Sequence, residues 1–315
     1  MGEITEDYIR KLVCTFYNKK NISHIEKINV VSLNKVFMVS EDKHQYILKF
    51  YNFDNVQNII WTKRIQDHLH KNFNIAPEIL RNTNGQLITT TKKYIFSLEV
   101  FLAGYHPSSI KNDIKLVAKK LALVHSKLKR YSAKKTTQSS IVSNQKIIED
   151  IEYSQRKINE INLTKNYHYI PLFNNLLDIR REVSMNTPIN YCPKYQLIHG
   201  DVRPQNIIIN QKQVYFIDFD FSSYSDFFSE IIKSAILCSD YDINLIKLFI
   251  NQYSFMANTQ LPSLHHLFQN LLFYLIQSNF PIYIIDGLTD EVIIPILNER
   301  IKLINFCKSI VISKS

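Results

Sequence analysis

The sequence predicts an α+β chain, β-rich to about residue 98 and mostly helical beyond it. Three observations carry this. Residues 28–40 and 45–51 are rich in β-branched and aromatic side chains and flank the polar segment Glu41-Asp42-Lys43-His44, a hairpin pattern. After Gly104 the apolar residues recur at helical spacing, as in Ile114, Val117, Leu121, Val124 and Leu128. Short apolar runs at 196–198, 207–209 and 214–217 then bring β patterning back inside the helical part.

The elements follow in chain order. In the second strand Tyr46, Leu48 and Phe50 share one face, and Ile47 and Lys49 share the other. A helix is predicted from Val56 to about Lys71, with Trp61, Ile65 and Leu69 spaced by four and Pro77 beyond it. Ile79-Leu80, the turn at Asn84-Gly85 and Leu87 read as a further hairpin, and 94–102 as the last strand of this part. Asn112 or Asp113 is expected to cap the next helix. Residues 131–143 are polar and read as a loop, 146–161 and 171–183 as two amphipathic helices, and everything after Tyr224 as helical.

Composition removes several classes of function. A chain of 315 residues fits two lobes of roughly 150 residues each. With 45% hydrophobic and 21% charged residues it is an ordinary globular chain rather than a disordered one. Only 5 glycines occur, and no stretch matches a standard glycine-rich phosphate loop. The formal charge of +10 is spread along the chain with no run of five basic residues, so nucleic acid is not an expected partner. Cys14, Cys192, Cys238 and Cys307 form no C-x-x-C, which suits reduced thiols in the cytoplasm. The start is acidic and polar rather than leader-like, and 268–285 is too interrupted by polar residues and Pro281 to span a membrane. A soluble, cytoplasmic protein is expected. His68/His70 and His265/His266 lack zinc-ligand neighbours.

The dense signal is His199-Gly200-Asp201-Val202-Arg203-Pro204-Gln205-Asn206, followed twelve residues later by Asp218-Phe219-Asp220. An Asp-to-Asn loop around a proline is ordinarily a turn, and an Asp after an apolar run is ordinarily a strand end. Their joint occurrence around a strand hairpin is what phosphoryl transfer requires. The reaction needs a base at the attacking hydroxyl, oxygen ligands for Mg²⁺ and positive charge near the phosphoryl group. Asp201 is the candidate base, Asn206 and Asp218 the candidate Mg²⁺ ligands, and Arg203 a candidate cation for the γ-phosphate. His199 is expected to brace the loop, and His125 to be a satisfied core histidine.

The pattern H-G-D-x-x-x-x-N with I-D-F-D resembles the aminoglycoside phosphotransferase and choline kinase superfamily, small-molecule kinases with a protein-kinase-like fold. The resemblance covers most of the chain. It implies a two-lobed fold: 1–98 as the nucleotide-binding lobe, 99–104 as the hinge, and 105–315 as the catalytic and acceptor-binding lobe. Ser32 to Phe37, with Ser32 and Asn34, resembles the turn over the nucleotide. Ile47-Leu48-Lys49 resembles the lysine strand, Glu99 to Gly104, with Glu99 and Phe101, the hinge, and Leu121 to His125 a family helix. Implied with it are Mg²⁺, ATP or GTP as donor, and a small hydroxylated acceptor such as an aminoglycoside, choline, homoserine or a sugar. The acceptor is expected near Asp201, the 146–183 insert and the helix carrying Asp226 and Glu230.

Two departures matter. Many members of the superfamily carry His where this chain has Arg203. Kinases of this fold also pair the lysine with a helix glutamate, yet no Glu occurs between Tyr51 and Pro77. Lys49 is therefore expected to be positioned by phosphate, by Asp67 or by a backbone carbonyl rather than by a standing ion pair. A protein kinase is excluded in detail: Gly200 replaces the arginine of H-R-D, Asp220 stands where D-F-G needs glycine, and no A-P-E follows. The alternative of another class is a non-catalytic kinase-like structural protein, such as a spore-coat protein.

Overall fold

The structure, a computed structural model, describes residues 4–28, 34–51, 55–131, 143–164, 167–186, 191–277 and 289–312. Ser32 and most of the 131–143 loop fall outside them. The chain forms two compact units. The first is Met1–Ser108 with His199–Ser222, and the second is Ser109–Ile198 with Ser223–Ser315.

The first unit opens with a helix that the sequence reading did not anticipate, α1 (Glu6–Tyr17). Its signals are local. The Thr5 hydroxyl accepts from the Tyr8 amide, Glu6 and Asp7 lie at the positive end of the helix dipole, and Asn18 closes it in the left-handed region. Ile9, Leu12, Val13 and Tyr17 form its buried stripe. Strands β1 (Ile22–Ile28), β2 (Lys35–Glu41), β3 (His44–Tyr51), β4 (Ile79–Leu80), β5 (Thr89–Thr90) and β6 (Ile95–Val100) make one antiparallel sheet. Its order is β1-β2-β3-β6-β4, with β5 also on β6. Of the segment expected as one strand over 28–40, Ile28 ends β1 and 35–40 belong to β2, while most of β1 lies before it, with Ile25 as its one buried residue.

Period-2 alternation assigns the two faces of this sheet. Phe37, Val39, Tyr46, Leu48, Phe50, Phe96 and Leu98 pack with the α1 stripe as one core. The opposite face of β3 carries Ile47, Lys49 and Tyr51, which pair in register with Glu99, Ser97 and Ile95 of β6. Helix α2 (Val56–Phe73) covers that face, and Tyr51 packs with Ile59 and Ile88. The chain turns at Asn74, whose αL conformation ends α2 ahead of Pro77.

The same unit holds the hairpin β7 (Ile207–Asn210) and β8 (Gln213–Phe216). Gln211 and Lys212 both have positive φ, the two-residue turn that matches strand twist. The Phe216 amide bonds to the Ile75 carbonyl, and Tyr105 and Ile209 exchange both backbone bonds. Gly104 permits that exchange, since a Cβ there would lie 2.5 Å from the Ile209 oxygen.

The second unit is mainly helical. It comprises α3 (Lys111–Lys129), α4 (Asn144–Thr164), α5 (Ile170–Asn186), α6 (Phe227–Cys238), α7 (Ile243–Ala257), α8 (Leu264–Gln277) and α9 (Asp290–Ile312). The two-stranded ladder of Tyr195–Ile198 with Ser223–Asp226 belongs to it. Helix α3 packs along α7 and buries Val117, Leu121 and Val124. Ile110 is its N-cap residue, without a side-chain bond, and Asp113 lies buried in the first turn instead of capping. No helix among the described residues is long and apolar enough to cross a membrane.

Candidate active site

The loop between residue 198 and β7 is built around His199, which is fully buried against Phe219 with ring centroids 4.4 Å apart. Its Nδ1 accepts from the Asp201 amide at 3.3 Å, so Nε2 carries the proton and donates to the Ile217 carbonyl at 3.0 Å. One ring thus ties the backbone of Asp201 to the residue before Asp218. A second tie runs from the Ile217 amide to the Asn206 carbonyl, 2.9 Å.

The Asp201 carboxylate is held from both sides. Arg203 Nε donates to Oδ1 at 3.0 Å, and Asn206 Nδ2 donates to Oδ2 at 2.9 Å and to the Asp201 backbone oxygen at 2.9 Å. Pro204 starts the short 3₁₀ turn that brings Asn206 back under Asp201. Because the Asn206 amide nitrogen is committed to Asp201, its carbonyl oxygen is the atom it can offer an ion. Gly200 sits at φ +91°, and a Cβ there would lie 2.1 Å from the Phe221 carbonyl oxygen. Gly200→Ala is expected to cost more than about 2 kcal/mol through backbone strain and forced displacement of the loop. A thermal melt of the full chain, together with loss of Mg-nucleotide binding, checks this.

Asp218 adopts the left-handed conformation, φ 62° and ψ 64°, at the end of β8. Its Oδ1 lies 2.6 Å from Lys49 Nζ. Lys49 also meets Asp220 Oδ2 at 2.6 Å, and that oxygen accepts from Asn34 Nδ2 at 2.9 Å. Lys49 is therefore in a standing ion pair, contrary to the expectation, and its partners are aspartates of the chain beyond β8. Asp67 takes Lys71 at 2.9 Å and Arg81 at 3.1 Å on the surface.

With no glutamate in α2, the helix turns a group of the opposite sign inward. Lys63 of α2, fully buried, meets Glu99 Oε1 at 2.8 Å, Gln66 Oε1 at 3.0 Å and Asp220 Oδ1 at 3.5 Å. Gln66 Nε2 donates to Glu99 Oε2 at 2.8 Å and to the Pro77 carbonyl. The Tyr51 ring lies beside both ammonium groups, and its hydroxyl bonds to Ser97 Oγ at 2.7 Å. Burial pushes the Asp220 carboxyl up, and the Lys49 and Lys63 charges override it, holding it at about 2. Burial likewise depresses both lysines, and their carboxylate neighbours hold them above the usual lysine range. Removing one member of such a buried set leaves an uncompensated charge, a loss of about 3–5 kcal/mol.

The other expected site residues are placed as follows. Ile47 lies half-buried two residues before Lys49 on the same face of β3. Asn34 is engaged by Asp220 and Ser32 lies outside the described residues. The Glu99 carboxylate turns into the Lys63 cluster, and the Phe101 amide bonds to the Gln45 carbonyl at 2.9 Å. In the second unit, Asp226 and Glu230 have internal partners in place of the expected acceptor contact. Asp226 caps α6 through the Phe228 and Ser229 amides and the Ser229 hydroxyl, and it also accepts from the Lys194 amide. Glu230 meets His125 Nε2 at 2.7 Å while Nδ1 of that ring meets the Tyr253 hydroxyl at 2.7 Å. Both carboxylates are nearly sealed from solvent, which suits capping and core pairing rather than ligand capture. The residues missed by sequence reasoning are Lys63, Gln66 and Asp220. Their signal was present, because Lys63 and Gln66 follow Ile59 at four and seven residues, on the face of α2 that turns inward.

Hard oxygen donors suit Mg²⁺, which keeps several waters and takes substrate phosphates rather than filling an all-protein cage. Among the described residues no group of three or more His, Cys, Asp or Glu that could hold a metal ion is found.

The kinase-like fold and the family match together make this a small-molecule phosphotransferase. The profile of the APH phosphotransferase enzyme family matches residues 24–265, and the chain belongs to that family. Among solved structures it is similar to the choline kinase of Cryptosporidium parvum Iowa II (16% identity, TM-score 0.63, covering 98% of this chain and 97% of that one). It is also similar to the amicoumacin kinase hAmiN in complex with AMP-PNP, Ca²⁺ and Ami (13%, TM-score 0.62, 98% and 94%). A third is a spectinomycin phosphotransferase in complex with ADP and spectinomycin (12%, TM-score 0.57, 98% and 95%). A comparison with curated proteins returned no match.

Proposed function

We propose that this protein is a cytoplasmic O-phosphotransferase that moves the γ-phosphoryl group of ATP or GTP to a hydroxyl of a small molecule. The observation that carries the reading is the joining of the Asp201 loop to the Asp218 strand end through His199 and Asn206. It ties the enclosed Asp201 carboxylate and the more open Asp218 carboxylate to one hydrogen-bonded loop. The nucleotide belongs to the 1–98 lobe, 99–104 is the hinge, and 105–315 carries the chemistry and the acceptor.

In this reading Asp201, aimed by Arg203 and Asn206, accepts the acceptor hydroxyl proton as the oxygen attacks. Asp218 and the Asn206 side-chain carbonyl would hold Mg²⁺, which would supply charge neutralisation on the phosphates. Lys49 binds the donor phosphates, Ile47 roofs the adenine, and Arg203 turns its charge from Asp201 toward the γ-phosphate as the proton is taken up. Acceptors of the aminoglycoside, choline, homoserine or sugar type are the first to test, since similar proteins are named for choline, amicoumacin and spectinomycin.

The test has two stages. Full-length protein is melted with ATP or GTP, with and without Mg²⁺, and then incubated with an acceptor panel and read by ³¹P NMR. A metal-dependent nucleotide shift and a new phosphomonoester signal are expected. No nucleotide shift and no phosphate ester with any acceptor would replace this reading with the kinase-like structural protein.

A further inference from the structure

Five charged side chains on the α2-facing side of the sheet alternate in sign: Glu99, Lys63, Asp220, Lys49 and Asp218. The contacts along the row are 2.8, 3.5, 2.6 and 2.6 Å. Three carboxylates face two ammonium groups, so the row carries one negative charge in excess. Exposure identifies which carboxylate is in excess. The Asp218 side chain is 31% exposed, against 6% for Asp220 and 9% for Glu99. The four inner groups form a neutral, buried set, and Asp218 stands at its open end.

We propose that Asp220 is the positioning carboxylate of Lys49 and that Lys63 locks it in place, so that Asp218 alone is surrendered to the metal. This rests on the phosphotransferase reading above. In this arrangement the helix contributes a cation that holds an anion that holds the lysine, one link longer than a direct helix carboxylate. Asp220 fits the role on three counts. Its Oδ2 is shared by Lys49 and Asn34, its Oδ1 is buried facing Lys63, and with 6% of the side chain exposed little edge is left for a hydrated ion. When a divalent cation takes Asp218, Lys49 keeps a partner and stays pointed at the phosphates, and the buried set stays neutral.

The experiment uses full-length protein and two binding readouts, Mn²⁺ affinity by EPR in the presence of ADP and ADP affinity by calorimetry at saturating Mg²⁺. Asp218→Asn should weaken Mn²⁺ by about tenfold or more. Asp220→Asn should weaken ADP by about tenfold, since a charge-assisted contact is lost, and leave Mn²⁺ affinity near wild type. Lys63→Met should reproduce the Asp220→Asn pattern, and Lys63→Arg should restore ADP affinity. If Lys63→Met fails to fold, Lys63→Met/Glu99→Gln removes the buried pair together and should show the same weakening of ADP. Two results overturn the proposal while leaving the wider reading intact. One is a loss of Mn²⁺ affinity in Asp220→Asn equal to that in Asp218→Asn, and the other is wild-type ADP affinity in the folded Lys63 variants. Wild-type protein that binds no ADP at any metal concentration overturns both.

Discussion

Asp201→Asn is expected to lower kcat for phosphoryl transfer by about 10²–10⁴-fold, the usual contribution of a general base. The substitution keeps the shape of the side chain and removes its ability to take up the hydroxyl proton. Its remaining carbonyl can accept from Arg203 or from Asn206 but not from both, because they donate to different oxygens of the carboxylate, one of which becomes an NH₂ donor. One hydrogen bond is therefore lost, a stability change of about 1 kcal/mol. Nucleotide affinity should change little if Asp201 serves the acceptor hydroxyl as proposed, so the loss falls on kcat rather than on the nucleotide KM. Steady-state kinetics with the acceptor found by ³¹P NMR measure the split. An unchanged kcat would remove Asp201 from the role of base.

Asp218→Ala is expected to reduce Mg-nucleotide affinity by about 100-fold or more, as deletion of a direct ligand exceeds the effect of its supporting contacts. The fold should survive. Asp218 is the most exposed carboxylate of its cluster, and Lys49 retains Asp220 at 2.6 Å when it is gone. Alanine at φ 62° carries a modest backbone penalty that Asn tolerates better, so Asp218→Asn separates strain from ligand loss. Calorimetric titration of Mg-ADP into both variants, with a melt of each, gives the comparison. Normal turnover in Asp218→Ala would show that the metal is held elsewhere.

Much of this protein is legible along the chain because its signals are local. Alternation in 44–51 placed Lys49 opposite the apolar face, and the Asn210–Gln213 turn returned residue 218 beside the loop that begins at His199. The five-residue step from Asp201 to Asn206 gave a neutral oxygen near a carboxylate, and the 3₁₀ turn after Pro204 realises it. Helix α1 was equally local in its signals, with Thr5 as cap and Ile9, Leu12, Val13 and Tyr17 as stripe, yet its short apolar runs did not stand out beside the strong strands that follow.

What the sequence determined by itself was the spacing of chemistry. A candidate base, two oxygen ligands and a lysine occur on strands and turns whose period and breaks are written in neighbouring residues. What only the tertiary structure decided was the partner of each charge. Asp226 and Glu230 are acids that a cationic acceptor would suit, but one caps α6 and the other lies against His125. Lys63 and Glu99 are 36 residues apart and Asp220 lies far beyond either, so no local pattern joins them. A buried charge takes whichever opposite charge the fold brings within reach, because leaving it unpaired costs more than any local preference supplies. For that reason the absence of a glutamate in α2 was readable from the chain, while the contacts of the buried Lys63 with Glu99 and Asp220 required the packed sheet and helix.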